Sequence, residues 1–313
     1  MTRKDLTDCY NRIAPYIHNT PVLTSRLVNQ AVGADVYFKC ENFQKTGAYK
    51  MRGATNAILQ LTEKQRSKGV VTHSSGNFAQ ALSKAAQSLN VKATIVMPSN
   101  SPIAKKNGVI TYGGTILECE PTIEARQSLA DKIVVETGAT FIHPSNDINV
   151  ILGQGTACYE LLQEHPDLEV VACPVGGGGL IAGSALTAHY FSQHCKVIGG
   201  EPFEADDAYR SLISGQIETN DTANTIADGL RTQLGHHNFP IIKNHVDRII
   251  RVTEEEIIEA MRFIWERMKI IIEPSSAVTF AAVLKDKAQL KGQKIGIIIS
   301  GGNVDVNNLP FNI

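Results

Sequence analysis

Short β-branched runs alternate with longer stretches of helical periodicity along most of this chain. Strands are expected at 36–39, 70–73, 93–96, 115–119, 140–143, 170–175, 197–199 and 295–299. The runs at 170–175 and 295–299 are apolar without interruption, as strands buried on both faces are. Ser101-Pro102 predicts a helix start, with serine as N-cap and proline at the first helical position, and Gly108 a helix stop. Thr253-Glu254-Glu255-Glu256 reads as a capping box ahead of the stripe Ile257, Met261, Ile264 and Met268. Strands alternating with helices imply an α/β protein with mainly parallel sheets.

At 313 residues the chain exceeds the usual size of one core, so two domains or one large α/β unit are expected. A formal net charge of −1 without basic or acidic blocks gives nucleic acid or an anionic membrane no electrostatic footprint. Met1-Thr2-Arg3-Lys4-Asp5 is charged, and no apolar run suffices for a bilayer span, so a cytoplasmic protein is expected. The cysteines at 9, 40, 119, 158, 173 and 195 are scattered, which predicts free thiols rather than disulfides or a zinc site.

Five places carry candidate chemistry. Gly176, Gly177, Gly178 and Gly179 follow a strand and precede a helix expected at 180–190. Free N–H groups and the helix dipole converge there, which suits a phosphate. Four adjacent glycines are more than a tight turn requires. The same segment fits a dinucleotide fingerprint, Gly177-x-Gly179-x-x-Ala182 with Glu201 downstream, so a nicotinamide oxidoreductase is a rival reading. Ser74-Ser75-Gly76-Asn77 lies where a strand gives way to a helix and suits a carboxylate, although a serine N-cap alone has that form. Phe78 shares a helical stripe with Leu82, Ala85 and Leu89 and so belongs equally to a core. Lys50 lies among small residues that leave its amine open to an adjacent ligand. Ser300-Gly301-Gly302-Asn303 ends a buried strand, where α/β sheets bind ligands. Glu201, the Ala205 carbonyl and Asp207 offer oxygens for a hard cation, or form a solvated acidic loop.

In their order these motifs resemble the fold-type II pyridoxal phosphate (PLP) enzymes, a tryptophan synthase β-like fold, and within them the serine racemase and serine/threonine dehydratase family. The resemblance runs through 43–47, the Lys50 segment, Ser74 to Asn77, the four glycines, 225–229, 265–269, 272–274 and Ser300 to Asn303. It implies a large PLP-binding domain of 1–63 and 148–313 with a small domain, 64–147, inserted between. By resemblance Lys50 holds the cofactor aldehyde, the glycines cradle its phosphate, and Asn77 meets its ring hydroxyl. Ser300 meets the ring nitrogen, Tyr49 and Gly229 flank the ring, and Glu273 is grouped with the cofactor-binding residues. Ser75 stands on the face opposite the lysine. Ser74, Ser75, Asn77, Phe78 and Arg126 fall on the substrate side. Glu201, Ala205 and Asp207 match a site for Mg2+, or Ca2+ or Mn2+.

The implied activity is ammonia elimination from small β-hydroxy amino acids, with serine racemisation as companion. Serine would give pyruvate and threonine 2-oxobutanoate. Two departures from the pattern bear on the substrate: Phe78 replaces a histidine, and Ala48-Tyr49 replaces Ser-Phe. 3-Hydroxyaspartate and phenylserine therefore stand as alternative substrates. A homodimer follows from resemblance, and Arg26, replacing a small hydroxyl residue, argues against the ATP effector site of animal racemases.

Overall fold

The computed structural model describes residues 1–312, whose strands in chain order are β1 (Val22–Thr24), β2 (Asp35–Cys40), β3 (Val70–His73), β4 (Ala93–Pro98), β5 (Thr115–Cys119), β6 (Thr140–Phe141), β7 (Val170–Pro174), β8 (Lys196–Pro202), β9 (Arg248–Val252) and β10 (Lys294–Ile299). They form two sheets. The larger has the order β1-β2-β10-β7-β8-β9, antiparallel only at β1–β2. The smaller, β5-β4-β3-β6, is parallel throughout.

Alternation along β7 explains how the larger sheet is covered. Val170 and Ala172 enter one apolar cluster, Val171 and Cys173 the other, as the two-residue period of a strand requires. The smaller sheet is likewise packed on both faces. Its core draws in Met51, Ala54, Ala57 and Ile58 from the helix Lys50–Leu59. That helix also lies against the helix Ile148–Glu164 so closely that a Cβ on Gly153 would stand 2.6 Å from the Gly53 Cα. Lys50 therefore starts a helix wedged between the two sheets.

Several expectations need correction. β1 and β9 are additional edge strands, and 140–143 shortens to two residues. There the His143 Nδ1 accepts the N–H groups of Ser145 and Asn146 and turns the chain. The helix expected after Ser101 spans Ile103–Thr111, with no side-chain cap from Ser101. Gly108 lies inside that helix, where a Cβ would come within 2.7 Å of the Gln80 Oε1; it permits a close approach and does not end the helix. The capping box at Thr253 is present, and Ile257, Met261 and Ile264 are buried. The six cysteines are unpaired, and among the described residues no helix is long and apolar enough to cross a membrane.

Candidate active site

The loop before Lys50 is stitched to the end of β10. Tyr49 N–H donates to the Ser300 carbonyl at 3.0 Å, Gly302 N–H to the Gly47 carbonyl at 2.9 Å, and the Asn303 amide to the Thr46 carbonyl at 2.8 Å. Thr46 adopts φ 63°, a left-handed conformation that strains a β-branched residue, and Gly47 follows at φ 70°. The lysine side chain then crosses toward the smaller sheet, where Lys50 Nζ donates to the Pro144 carbonyl at 3.0 Å. Its nitrogen lies 5.0 Å from the Tyr49 ring centre and 5.8 Å from that of Phe78. Burial between these rings pulls the Lys50 amine down to about 8, and the Glu273 carboxylate opposes the shift.

Pro144 leads directly into the glycine run, because Ser145 packs against Gly177 and Gly179. Gly178, at φ 78°, precedes the helix Gly179–Phe191, whose N-terminus has no side-chain cap. Added Cβ atoms would lie 2.7 Å from the Leu230 Cα at Gly176 and 2.6 Å from the Leu234 Cδ2 at Gly178. The uncapped N–H groups are open donors, and the buried Ser145 hydroxyl has no hydrogen-bond partner among the described residues. This donor set fits a phosphate. Asn238 braces it, its amide donating to the carbonyls of Gly177 and Ser145 at 2.7 and 3.1 Å.

Asn77 begins the helix Asn77–Ser88. Its amide donates to both Glu273 oxygens, at 2.9 and 3.0 Å, and its own carbonyl accepts from Asn303 at 2.9 Å. Burial pushes the Glu273 carboxyl up to about 7, against the Asn77 hydrogen bonds. Glu273 thus fixes the orientation of the Asn77 amide. Ser300 is buried beside Ser276, with the hydroxyls 2.9 Å apart and the Ser276 oxygen 2.7 Å from the Gly301 carbonyl; either hydroxyl can donate across the first contact, and with Ser276 as its donor the Ser300 hydrogen is left for a ring nitrogen. Gly229 is held by its N–H donating to the Ser275 hydroxyl.

At the residues expected to face a substrate, the Asn77 helix has Gly76 as its uncapped N-cap, and a Cβ on Gly76 would meet nothing within 4 Å. Ser74 and Ser75 border that open space, a geometry suited to a small carboxylate. Phe78 is only 2% exposed and packs in the smaller sheet's core, reaching the site with its ring alone. Arg126 donates to the Thr122 carbonyl and makes no ion pair among the described residues; its charge acts on His73, which bonds to Gln127. His143 stands 5.8 Å from His73, ring to ring; burial, then His73 and Lys50, bring it down to about 4. Sequence reasoning missed His143, Ser145, Asn238 and Ser276. The polar run His143-Pro144-Ser145-Asn146 after a strand resembles the one at Ser74 and was the available signal.

Glu201 accepts the N–H groups of Ala208 and Tyr209 at 3.0 and 2.8 Å, which turns it away from any dinucleotide ribose. Burial, then Asp207, raises the Glu201 carboxyl far above its ordinary value, and burial lifts Asp207 to about 6. Two buried carboxylates that make no ion pair among the described residues fit a divalent cation. The described residues hold no cluster of three or more His, Cys, Asp or Glu that could bind a metal, so carbonyl and water oxygens would complete the shell.

The profile of the pyridoxal-phosphate dependent enzymes matches residues 13–301. The chain is 51% identical to a serine racemase of Dictyostelium discoideum, over 99% of this chain and 97% of that protein. The crystal structure of serine racemase from that organism superposes with a TM-score of 0.94, covering 98% of this chain and 99% of that one. A beta-hydroxyaspartate dehydratase of Paracoccus denitrificans is 46% identical, over 99% of both. The crystal structure of a T.th. threonine deaminase gives a TM-score of 0.93 at 43% identity, covering 97% of this chain and 99% of the other.

Proposed function

This chain belongs to the pyridoxal-phosphate dependent enzyme family, and we propose that it is an ammonia-lyase for small β-hydroxy amino acids with a companion serine racemase activity. One observation carries the reading. The Lys50 amine hydrogen-bonds to Pro144, and the next residue, Ser145, packs into the glycine cradle, so an amine and a phosphate site flank one short segment.

When bound, the cofactor supplies the electron sink that makes an amino acid's Cα proton removable. Lys50 would bond to its aldehyde carbon and, once displaced by the substrate amine, take the Cα proton from one face. Its lowered proton affinity suits a base near neutral pH. Ser74, Ser75 and the free N–H groups at the start of the Asn77 helix would hold the substrate carboxylate. Ser75 would return a proton on the opposite face, which inverts the centre. Departure of the β-hydroxyl instead leads to a keto acid and ammonia. Asn77, fixed by Glu273 and Asn303, would meet the ring hydroxyl, and Ser300 the ring nitrogen. A hydroxyl there leaves the ring a weaker sink than an aspartate would, which favours prompt elimination.

We assign the Glu201 and Asp207 carboxylates and the Ala205 carbonyl to a magnesium or calcium ion, which would relieve their mutual repulsion. Residues 64–147, which carry the smaller sheet, are assigned to a small domain and the rest to a large one. The family resemblance supports a cytoplasmic homodimer.

Borohydride trapping followed by peptide mass spectrometry should place a pyridoxyl group on Lys50. Incubation with serine, threonine and 3-hydroxyaspartate should release keto acid, and L-serine should yield D-serine. A tag on another lysine, or no keto acid from any of the three, would overturn the reading.

A further inference from the structure

Lys105 and Asp228 form the one ion pair, among the described residues, that joins residues 64–147 to the rest of the chain. Lys105 lies in the first turn of the helix Ile103–Thr111, which packs on the Asn77 helix. Asp228 immediately precedes Gly229, so the pair ties the helix Ile103–Thr111 to the turn that carries Gly229. Both charges lie near enough to act on Glu273, with opposite signs, and Glu273 holds Asn77, at the start of the helix that borders the open space at Gly76. Both side chains are partly exposed, at 32% and 46%, so neither is locked in place by desolvation.

We propose that Lys105 is a specificity-determining residue that binds the side-chain carboxylate of a dicarboxylic β-hydroxy amino acid in exchange for Asp228. This rests on the ammonia-lyase reading above and names the substrate class it serves. The Asp228 carboxylate marks where a second substrate carboxylate sits. A dicarboxylate replaces one anion on the ammonium with another, while Asp228 turns to water at small cost because it is already half in it. Serine and threonine bring no second carboxylate and leave the pair closed. Lys106, beside Lys105 on the helix, is taken up by Glu118, and Arg126 lies beside His73 with no ion pair among the described residues, whereas Lys105 already holds a carboxylate next to Gly229.

Steady-state kinetics of the holoenzyme on L-threo-3-hydroxyaspartate and L-serine test the proposal. Lys105→Met should raise KM for 3-hydroxyaspartate about five- to tenfold, the value of one partly exposed charged hydrogen bond, and move KM for serine less than about threefold. Lys105→Glu should raise it further, and Asp228→Asn should lower it by removing the competitor. A pair that merely shuts the cleft would shift both substrates alike. Equal shifts, no shift, or a wild-type enzyme inert toward 3-hydroxyaspartate would overturn the assignment. Keto acid from serine in the same assay shows that the ammonia-lyase reading stands even then; none from either substrate shows that the reading itself has failed.

Discussion

The Asn77 amide grips both carboxylate oxygens of Glu273, at 2.9 and 3.0 Å, and this clamp couples the two sheets to the protonation of one buried acid. Burial raises Glu273 to about 7, so between its ordinary value of 4.5 and 7 the folded chain binds the extra proton. Its contribution to stability is complete below 4.5 and is lost as pH rises through 7. Lys50 runs the other way. Its amine falls from 10.5 to about 8, so the unfolded chain binds more protons in that window and stability rises with pH from 8 to 10.5. The cofactor-free protein should therefore have, from these two groups, a stability minimum near pH 7–8. Each slope is worth up to roughly 3 kcal/mol. Urea unfolding at pH 5, 7.5 and 10 measures it: Glu273→Gln should flatten the acid limb and Lys50→Met the alkaline limb.

Among the described residues the Ser75 hydroxyl has no hydrogen bond that would give it a structural role, and it borders the open space at Gly76. Ser75→Ala should keep the pyridoxyl tag on Lys50 and retain keto-acid release within about tenfold. Racemisation should fall by at least ~100-fold, the lower range for loss of a general acid–base group. Chiral chromatography of residual serine reads the ratio. Unchanged racemisation would remove Ser75 from that role.

The Glu201–Asp207 pair makes a prediction about cations. Chelation should leave two buried like charges unrelieved, one of which must take up a proton. Magnesium or calcium at about 100 times its Kd should restore about 2.7 kcal/mol of stability. The gain should fade as pH falls, because Glu201 and Asp207, both raised by burial, take up protons in competition with the ion, Asp207 at about 6. Thermal unfolding with chelator and with added cation measures this, and Glu201→Gln should abolish the difference.

The legible part of this molecule lay in contiguous runs. The glycines stood out because they follow an uninterrupted apolar strand and all four occupy places a Cβ would fill. Ser145 did not, because its contact with Gly177 is tertiary and spans 32 positions. β9 was hidden by Arg248 and Arg251, charges that read as loop until Asp286 and Asp206 are seen pairing with them. Gly108 read as a stop because the Gln80 side chain that demands a glycine there belongs to another helix. Sequence periodicity reports which face of an element is apolar, but not which neighbour covers it.

Arg52 shows the same limit and makes the sharpest stability prediction. Two residues after Lys50, a charged side chain reads as solvent-facing, yet Arg52 is fully buried. Its guanidinium donates to Glu41 at 2.7 and 2.8 Å and to Glu160 at 2.9 and 2.6 Å, while Lys39 also pairs with Glu160 at 2.7 Å. Burial alone would raise the Glu41 carboxyl, but Arg52 outweighs it and holds it below its ordinary value. Arg52→Met leaves two buried carboxylates sharing one lysine and should cost about 3–5 kcal/mol. Removing the whole network by adding Lys39→Met, Glu41→Gln and Glu160→Gln in the same chain should return part of that loss, because no orphaned charge then remains. Because Arg52 lies in the first turn of the Lys50 helix, the single variant should also bind less cofactor, seen as weaker visible absorbance per chain. Equal stability of Arg52→Met and the parent would mean that the four charges neither carry the helix nor need one another.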